Sequence, residues 1–350
     1  MATSPLAEIT ERLLAGEDLD RATAATAATA LAAATDPAEL RRDFLAALAR
    51  KGESADEVAG FAAAFRELAT DPGMADTASQ AIDIVGTGGD GAGSFNISTT
   101  AALLVAAMGQ PVIKHGNRSI TSRCGSADFL EALGIPVEAD PAKLRDGLAQ
   151  FGFAFLFAPA WHPAFRSIMP VRKALAAEGQ KTIFNLLGPL INPAQPAFEL
   201  LGVFSDTWVQ PLAEAFDRLG LKAAAVAHCA LPNGKSMDEL TTVGDNHLAG
   251  AGELKGLQMH LRAETLGVET GKLDELAGGD AERNLELLGL LLEGKAPPAL
   301  EDTVCLNAGA AWWICGRSPT VVGGFEAAKE ALADGLLGRW LNALRTFYAT

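Results

Sequence analysis

A glycine-rich segment in the first third of the chain constrains its fold more than any other feature. The apolar run 82–85 leads into Gly-Thr-Gly-Gly-Asp at 86–90, and further glycines follow directly. The next residues predict a helix that starts at Ser98 and Thr99, whose hydroxyls suit the N-cap position. Glycines allow positive φ angles and bring backbone N–H groups close to an anion beside the positive end of a helix. The segment therefore predicts a strand, a phosphate-binding turn and a helix.

The next apolar run ends in a cluster of polar and cationic side chains. Pro-Val-Ile at 111–113 is followed by Lys-His-Gly-Asn-Arg-Ser at 114–119. One predicted helix separates this strand from the first, so the two strands form a βαβ unit with both loops at one edge of a parallel sheet. Ligands bind outside the carboxyl ends of such strands. Alone, Lys114 or Arg118 would be a solvated surface charge, but the cluster favours a site for a phosphorylated ligand.

Further motifs follow in a fixed order along most of the chain. After GTGGD at 86–90, FNIST at 95–99 and KHGNR at 114–118, the sequence has GSAD at 125–128, LEALG at 130–134, APAWHPA at 158–164, PVR at 170–172, TIFNLLGPLINPA at 182–194 and MDE at 237–239. In these residues the chain resembles the anthranilate phosphoribosyltransferase family of tryptophan biosynthesis. The resemblance extends from about Leu6 to Leu344. Several long motifs in one order are more specific than any single motif.

Composition and charge fit an enzyme that acts on small molecules. The 350 residues are 49% hydrophobic, enough for one large and one smaller core, so one or two domains are expected. The net charge of −15 argues against nucleic acid or an anionic membrane as a partner, because both require a basic surface. We expect neither a membrane span nor a secretory signal. The four cysteines lack CxxC spacing, which predicts reduced thiols and a cytoplasmic protein.

Two regions of different character predict two domains. Residues 1–75 have apolar side chains at helical spacing and predict a small helical bundle, in which the Ala- and Thr-rich run 22–35 has a small-residue packing face. Residues 76–350 predict a larger α/β domain with a mostly parallel central sheet. The segment 163–190 is expected to cross back to the helical domain and leave a cleft between the two. The predicted strands are 82–85, 112–113, 153–157, 200–204, 223–227 and 303–306.

The resemblance implies a specific reaction. Members of the family transfer the phosphoribosyl group of phosphoribosyl pyrophosphate (PRPP) to the amino group of anthranilate and release pyrophosphate, with Mg²⁺, two ions alongside PRPP. For the metal the resemblance implies Ser98, Asp238 and Glu239, and an adjacent carboxylate pair suits Mg²⁺, which prefers a few oxygen ligands. Lys114 and Arg172 would act through charge and positioning. No general base is expected, because an aniline nitrogen is scarcely protonated at neutral pH.

The other candidate site residues are also those that the resemblance implies. The PRPP-binding residues would be Gly86, Gly89, Asp90, Ser94, Asn96, Ile97, Ser98, Thr99, Lys114, His115, Gly116, Asn117, Arg118, Ser119, Ile120, Thr121, Ser122 and Ser126. The anthranilate-binding residues would be Gly86, His115, Asn117, His162, Arg172 and Gly188. A guanidinium makes bidentate contacts with a carboxylate, which suits Arg172. For His162, a capping or core role stays open.

Some features leave the acceptor and the dimer open. Cys124 replaces the serine usual in the family, and the loops 173–181 and 229–237 are longer than usual. A paralogue that uses another aromatic amine therefore stays open, as does a family member that binds nucleic acid without catalysis. In the family the helical domain forms a homodimer. Phe61, Phe65 and Leu68 would either contribute to that contact or form the core of the bundle itself.

Overall fold

The computed structural model describes residues 4–118 and 123–349, and the N-terminal part is a helical bundle. Its helices are α1 (Pro5–Leu14), α2 (Arg21–Ala33), α3 (Ala38–Lys51) and α4 (Ala55–Glu67). Phe61 and Phe65 are fully buried, and both contact the ring of Phe184 from the second part of the chain. These two aromatic residues therefore belong to a core, which decides between the two roles left open for them.

Helices α2 and α4 pack closely because their facing side chains are small. A Cβ on Gly60 of α4 would lie 2.5 Å from the carbonyl oxygen of Arg21, so glycine is required at this contact. The Asp20 side chain caps α2 by accepting the N–H of Thr23 at 2.7 Å, as acidic caps do. The Ala- and Thr-rich run thus forms the small-residue helix that its composition predicts.

The rest of the chain builds an eight-stranded sheet. Its strands are β1 (Ile82–Gly86), β2 (Val112–Gly116), β3 (Phe153–Phe157), β4 (Phe198–Gly202), β5 (Ala223–Ala230), β6 (Ser236–Met237), β7 (Asp245–Gly252) and β8 (Gln258–Leu261). The strand order is β3-β2-β1-β4-β5-β7-β8, and β6 pairs with β5. Neighbours from β3 to β5 are parallel, and the pairs β5–β6, β5–β7 and β7–β8 are antiparallel. The predicted fold class, a helical part and a mostly parallel α/β part, is confirmed.

Helices cover both faces of this sheet. Along β4, Leu200 belongs to one apolar core and Leu201 to the other, as the alternation of a strand buried on both faces requires. Short 3-10 turns lie at Asp206–Trp208, Ala263–Leu266 and Leu273–Leu276. The helices of this part are α5 (Ala75–Ala78), α6 (Ile97–Ala107), α7 (Ser126–Ala132), α8 (Pro141–Phe151), α9 (Ala158–Trp161), α10 (Phe165–Ala177), α11 (Phe184–Leu190), α12 (Val209–Leu219), α13 (Ala281–Leu292), α14 (Pro298–Ile314), α15 (Val321–Ala333) and α16 (Leu336–Ala349). Within the described ranges, no helix combines the length and apolar character that crossing a membrane requires.

One predicted strand is wrong. Residues 303–306 lie inside α14, which is buried on nearly all sides, and a short apolar run in a buried helix has the same pattern as a buried strand. Strands β6, β7 and β8 were not predicted. Gly and Ala interrupt the alternation of β7, and β8 is only four residues long.

The segment 163–190 packs against the N-terminal bundle. Ile168 and Val171 of α10 and Leu187 of α11 share one apolar core with Phe61 of the bundle. The same core includes Leu201 of β4, and α12 lies between α4 of the bundle and the strands β5 and β7. This arrangement brings polar residues of the segment close to the carboxyl ends of the strands.

Candidate active site

Two glycines at the carboxyl edge of the sheet make room for an acidic loop. Gly86 ends β1 and Gly202 ends β4, and the two are register partners. A Cβ on Gly86 would clash with the carboxylate of Asp238, and a Cβ on Gly202 would clash with its carbonyl oxygen. Strand β2 lies on one side of β1 and β4 lies on the other, so the strand order reverses between β1 and β4. Open α/β sheets bind ligands at such a point.

The turn after β1 surrounds this loop with backbone amides. The N–H of Gly88 donates to Oδ2 of Asp238 at 2.6 Å. The φ angles of Gly88, Gly89, Gly91 and Gly93 lie between 65° and 83°, a range that glycine adopts without strain. A Cβ on any of the four would meet nothing within 4 Å, so backbone conformation and not crowding requires glycine here.

The helix after this turn begins earlier than predicted. Helix α6 begins at Ile97, and Asn96 occupies the N-cap position without a side-chain cap. The prediction that Ser98 and Thr99 cap the helix is therefore wrong. A carboxylate oxygen of Glu239 instead accepts the N–H of Ser98 at 3.1 Å. An acidic residue from a distant loop can cap this helix because the positive end of a helix favours a negative charge.

The carboxylates of Asp90, Asp238 and Glu239 lie near this turn, and the charge of Asp90 acts on the other two. Burial, and then the charges of Asp90 and Glu239, hold the pKa of Asp238 well above its usual range. Burial raises the pKa of Glu239 to about 7, although Lys114 and the N–H of Ser98 oppose the rise. One oxygen of Asp90 is buried without a partner in the described part of the chain. These observations indicate a group of oxygen atoms that suits a bound cation.

This group of carboxylates suits Mg²⁺ better than it suits a metal ion whose ligands all come from the protein. Among the described residues, no three His, Cys, Asp or Glu side chains form a preassembled metal site. Mg²⁺ usually binds one or two carboxylates and takes its other ligands from phosphates and water. Asp238 and Glu239 suit that role, and both lie beside the start of α6.

Lys114 lies under the carboxylates. Its side chain is only 2% exposed, and its ammonium donates to the carbonyl of Ile84. Burial lowers the pKa of Lys114, whereas the charges of Asp83 and Glu239 raise it. The Lys114 side chain is therefore held in one place inside the site and is not a mobile surface group.

A second group of predicted residues meets on the side of α10 and α11. Nδ1 of His115 lies 3.1 Å from the carbonyl oxygen of Gly188, and the rings of His115 and His162 are 5.0 Å apart. Burial lowers the pKa of His115 to about 3 and that of His162 to about 4, so both rings are neutral. Because Nδ1 of His115 must donate to a carbonyl, its Nε2 is an acceptor, and this buried atom has no partner in the described ranges.

Arg172 borders this neutral group. Its guanidinium lies over the rings of Phe184 and Phe165, 4.9 Å and 5.8 Å from their centroids, and Phe165 contacts His162. Burial lowers the pKa of Arg172. In the part of the chain that the structure describes, no carboxylate pairs with it, and its one polar contact is the sulfur of Met169 at 4.0 Å. A half-buried cation without an acidic partner suits an anionic ligand.

Comparisons with known proteins agree with this geometry. Residues 7–69 match the glycosyl transferase family, helical bundle domain, and residues 78–336 match the glycosyl transferase family, a/b domain. An anthranilate phosphoribosyltransferase of Thermus thermophilus is 44% identical over 306 residues, which cover 86% of this chain and 88% of that protein. The chain belongs to the anthranilate phosphoribosyltransferase family. The resemblance given by the sequence motifs is confirmed.

Solved structures of anthranilate phosphoribosyltransferases have the same fold. The crystal structure of the enzyme from Thermus thermophilus superposes with a TM-score of 0.86 at 38% identity, covering 99% of this chain and 100% of that one. The enzyme from Saccharomyces cerevisiae in complex with PRPP and Mg superposes with a TM-score of 0.83 at 24% identity, covering 99% of each chain. The second similarity supports the fold alone.

Of the residues predicted to bind PRPP, those in the loop after β2 either have partners within the protein or lie outside the described residues. Arg118 forms ion pairs with Asp128 and Glu131 of α7, which raise its pKa, so its charge is already balanced. The hydroxyl of Ser126 donates to the carbonyl of Asn117 at 3.2 Å. The predicted residues Ser119, Ile120, Thr121 and Ser122 lie outside the described residues.

The other predicted residues lie around the glycine-rich turn and at the end of β2. Asn96 donates to the carbonyl of Cys124 at 3.3 Å and accepts the side-chain amide of Asn284 at 3.0 Å. Ser94 forms an isolated β-bridge with Ala277. Ile97 and Thr99 are buried in the main core, and Gly116 ends β2 where a Cβ would clash with Ser126. Asn284 was not predicted, because a single asparagine in the helical run of α13 carries no signal.

The two loops that were expected to be longer than usual have definite structures. The residues 229–237 form a hairpin in which Cys229 pairs with Met237, and it brings Asp238 to the sheet edge. The residues 173–181 include the end of α10, where Glu178 pairs with Arg42 of the bundle. Neither loop interrupts the site.

Four buried polar residues behind the site were assigned no role from the sequence: Asp83 in β1, Glu199 in β4, Arg66 in α4 and Asn192 after α11. Asp83 and Glu199 are register partners, and Arg66 donates to the carbonyl of Leu190 at 2.7 Å. Burial and the charge of Asp83 hold the pKa of Glu199 well above its usual range, although Arg66 opposes this. The available signal was one acidic residue inside each apolar strand.

Proposed function

We propose that the protein transfers the phosphoribosyl group of PRPP to the amino group of anthranilate, with release of pyrophosphate, in tryptophan biosynthesis. The observation that carries the proposal is the convergence of Asp238 and Glu239 on the glycine-rich turn and the start of α6, in a member of this family. The test is the consumption of fluorescent anthranilate by the purified protein with PRPP and Mg²⁺. No consumption at saturating PRPP would refute the proposal, and PRPP binding without turnover would indicate another aromatic amine as acceptor.

The donor substrate would bind at the carboxyl edge of β1 and β2. Free amides of the turn and the N-terminus of α6 favour the pyrophosphate, and Lys114 adds a fixed positive charge. Mg²⁺, in two ions, would be held by Asp238, Glu239 and Ser98, and it would neutralise the charge that develops on the leaving pyrophosphate. The converging carboxylates support this assignment, and the Saccharomyces cerevisiae relative was solved with PRPP and Mg.

The acceptor substrate would bind beside α10 and α11. Arg172 would hold the carboxylate of anthranilate, and the rings of His115 and His162 would lie against the amino group and the aromatic ring. Nε2 of His115 can accept a hydrogen bond from the amino group, because its Nδ1 proton is held by Gly188. The amine nitrogen would then attack C1 of the ribose as pyrophosphate leaves, through an oxocarbenium-like transition state with inversion. Positioning and electrostatic stabilisation would supply most of the rate.

The proposal includes the organisation of the chain. A helical domain at 1–75 and an α/β domain at 76–350 would be joined by the segment 163–190, with the substrates in the cleft between them. Apolar contacts of α10 and α11 with the bundle support this division. A cytoplasmic homodimer formed through the helical domain would be the active species, and sedimentation equilibrium tests this.

A further inference from the structure

Strands β1 and β2 separate at the point where the site begins. They are register partners at one position, Ile82 with Val112, whereas β1 and β4 are paired along five positions. The backbone groups of β2 that face β1 beyond Val112 therefore lack ladder partners. Buried N–H and C=O groups are almost always hydrogen-bonded, so other groups must bond them.

Two buried side chains fill this gap. Oδ2 of Asp83 accepts the N–H of His115 at 3.2 Å and the side-chain amide of Asn192 at 2.8 Å. The same amide nitrogen donates to the carbonyl of Ile113 at 2.8 Å. The backbone is thus bonded by side chains immediately before and immediately after Lys114.

The orientation of both side chains is fixed. Oδ1 of Asn192 accepts the N–H of Ala194 at 3.0 Å, so its amide nitrogen must point towards Asp83 and β2. Both side chains are completely buried. Asn192 also follows α11, whose Gly188 bonds the ring of His115, so this segment is attached to β2 at two points.

We infer that Asp83 and Asn192 are positioning residues that hold the end of β2, and with it the ammonium of Lys114 and the ring of His115. This rests on the proposed function, in which Lys114 acts on PRPP and His115 faces anthranilate. One pair of side chains then sets the geometry on both sides of the reacting bond. Loss of either side chain should displace both groups.

The experiment uses three variants of the full chain. Asp83→Leu and Asn192→Leu nearly keep the side-chain volume and each removes the hydrogen bonds, and Asn192→Ser is a milder alternative if a variant does not fold. We expect kcat to fall by about 100-fold, the loss that a displacement of about 1 Å can cause, with a rise in KM for both substrates. Calorimetric titration with PRPP and Mg²⁺ should also show weaker binding.

Gln110 provides a matched control. It lies just before the start of β2, at the opposite end of the strand from the site. It is also buried, donates to the carbonyl of Gln80 and accepts from Arg317, but it lies far from the site. Gln110→Leu should lower the unfolding temperature as the other variants do, with kcat and KM unchanged. If Asp83→Leu and Asn192→Leu behave like this control, the inference is wrong. If the wild-type protein does not consume anthranilate, the proposed function fails, and PRPP binding by the variants still decides the inference.

Discussion

The two halves of the candidate site solve different electrostatic problems. The donor side, formed by Lys114, Asp238 and Glu239 around the glycine-rich turn, contains buried charges whose pKa values are shifted by one another and by burial. The acceptor side, formed by His115, His162 and Arg172, contains two neutral rings and one cation stacked on aromatic rings. The donor side suits a leaving group that gains charge, and the acceptor side suits a neutral amine with one carboxylate.

The difference teaches how one small site can keep its two substrates apart. In the proposed function, charged groups would recognise PRPP through phosphate and metal, and such groups would bind the aromatic amine poorly. Neutral rings and a single guanidinium would recognise anthranilate and would offer little to a pyrophosphate. Substitutions on one side should therefore leave binding on the other side intact.

The largest expected effect follows removal of both carboxylates that are proposed to bind the metal. Asp238→Asn with Glu239→Gln should abolish the Mg²⁺ dependence of PRPP binding and lower kcat by about 100-fold or more, because charge stabilisation of the leaving group is lost. Calorimetric titration with PRPP, with and without Mg²⁺, measures this. Glu326→Gln with Glu330→Gln, two exposed residues of α15, is the control for loss of two charges. Unchanged Mg²⁺-dependent binding would contradict the donor-side assignment.

A smaller effect is expected on the acceptor side. Arg172→Ala should raise the KM for anthranilate by about 10- to 100-fold, the value of a hydrogen bond to a charged group, with PRPP affinity nearly unchanged. Arg166→Ala removes an exposed arginine from the same helix and should change neither constant. Steady-state kinetics with each substrate varied in turn gives both values. If Arg172→Ala weakens PRPP as strongly as anthranilate, the division into two sides is wrong.

Local chemistry made one part of this site predictable from sequence. The glycines after β1 were read as a phosphate-binding turn because positive φ angles favour glycine, and Gly88 and Gly89 have them. The strands 82–85 and 112–113 followed from short apolar runs that stop at polar residues, although β1 extends to 86 and β2 to 116. These features depend on neighbours in the chain, so a sequence pattern can report them.

Other parts depend on contacts between distant segments and could not be predicted. The cap of α6 comes from Glu239, 141 residues away, and this contact replaced the hydroxyl cap that the local pattern indicated. Asp83 and Asn192 are 109 residues apart, and each is one polar residue in an apolar run. Residues 303–306 were read as a strand because a buried helix has no polar face to reveal its period.

A third prediction tests the buried layer beneath both sides. Glu199 is protonated in the folded protein at pH values where it ionises in the unfolded chain, so its stabilising contribution is present at low pH and is lost as pH rises above its unfolded pKa. Glu199→Gln should therefore raise the unfolding temperature at pH 8, on the order of 2–4 °C for 1 kcal/mol, and flatten its fall with pH. Asp302→Asn is the contrasting variant, because it breaks an ion pair with Lys329 at 2.6 Å and should not stabilise. A lower unfolding temperature for Glu199→Gln would show that the ionised carboxylate is needed beside Arg66.

The smallest expected effect concerns the pH dependence of the KM for anthranilate. Neither histidine of the acceptor side should change charge near neutral pH. An ordinary histidine changes charge near pH 6.5, whereas burial holds the pKa of His115 at about 3 and that of His162 at about 4. Both rings should stay neutral from about pH 5 to about pH 8, so the KM for anthranilate at saturating PRPP should be flat over that range. His260→Asn changes an exposed histidine of β8 and should leave the profile the same. A KM that rises below pH 6.5 in the wild-type protein and stays flat in His115→Asn would show that the ring titrates, and the acceptor side would then be charged like the donor side.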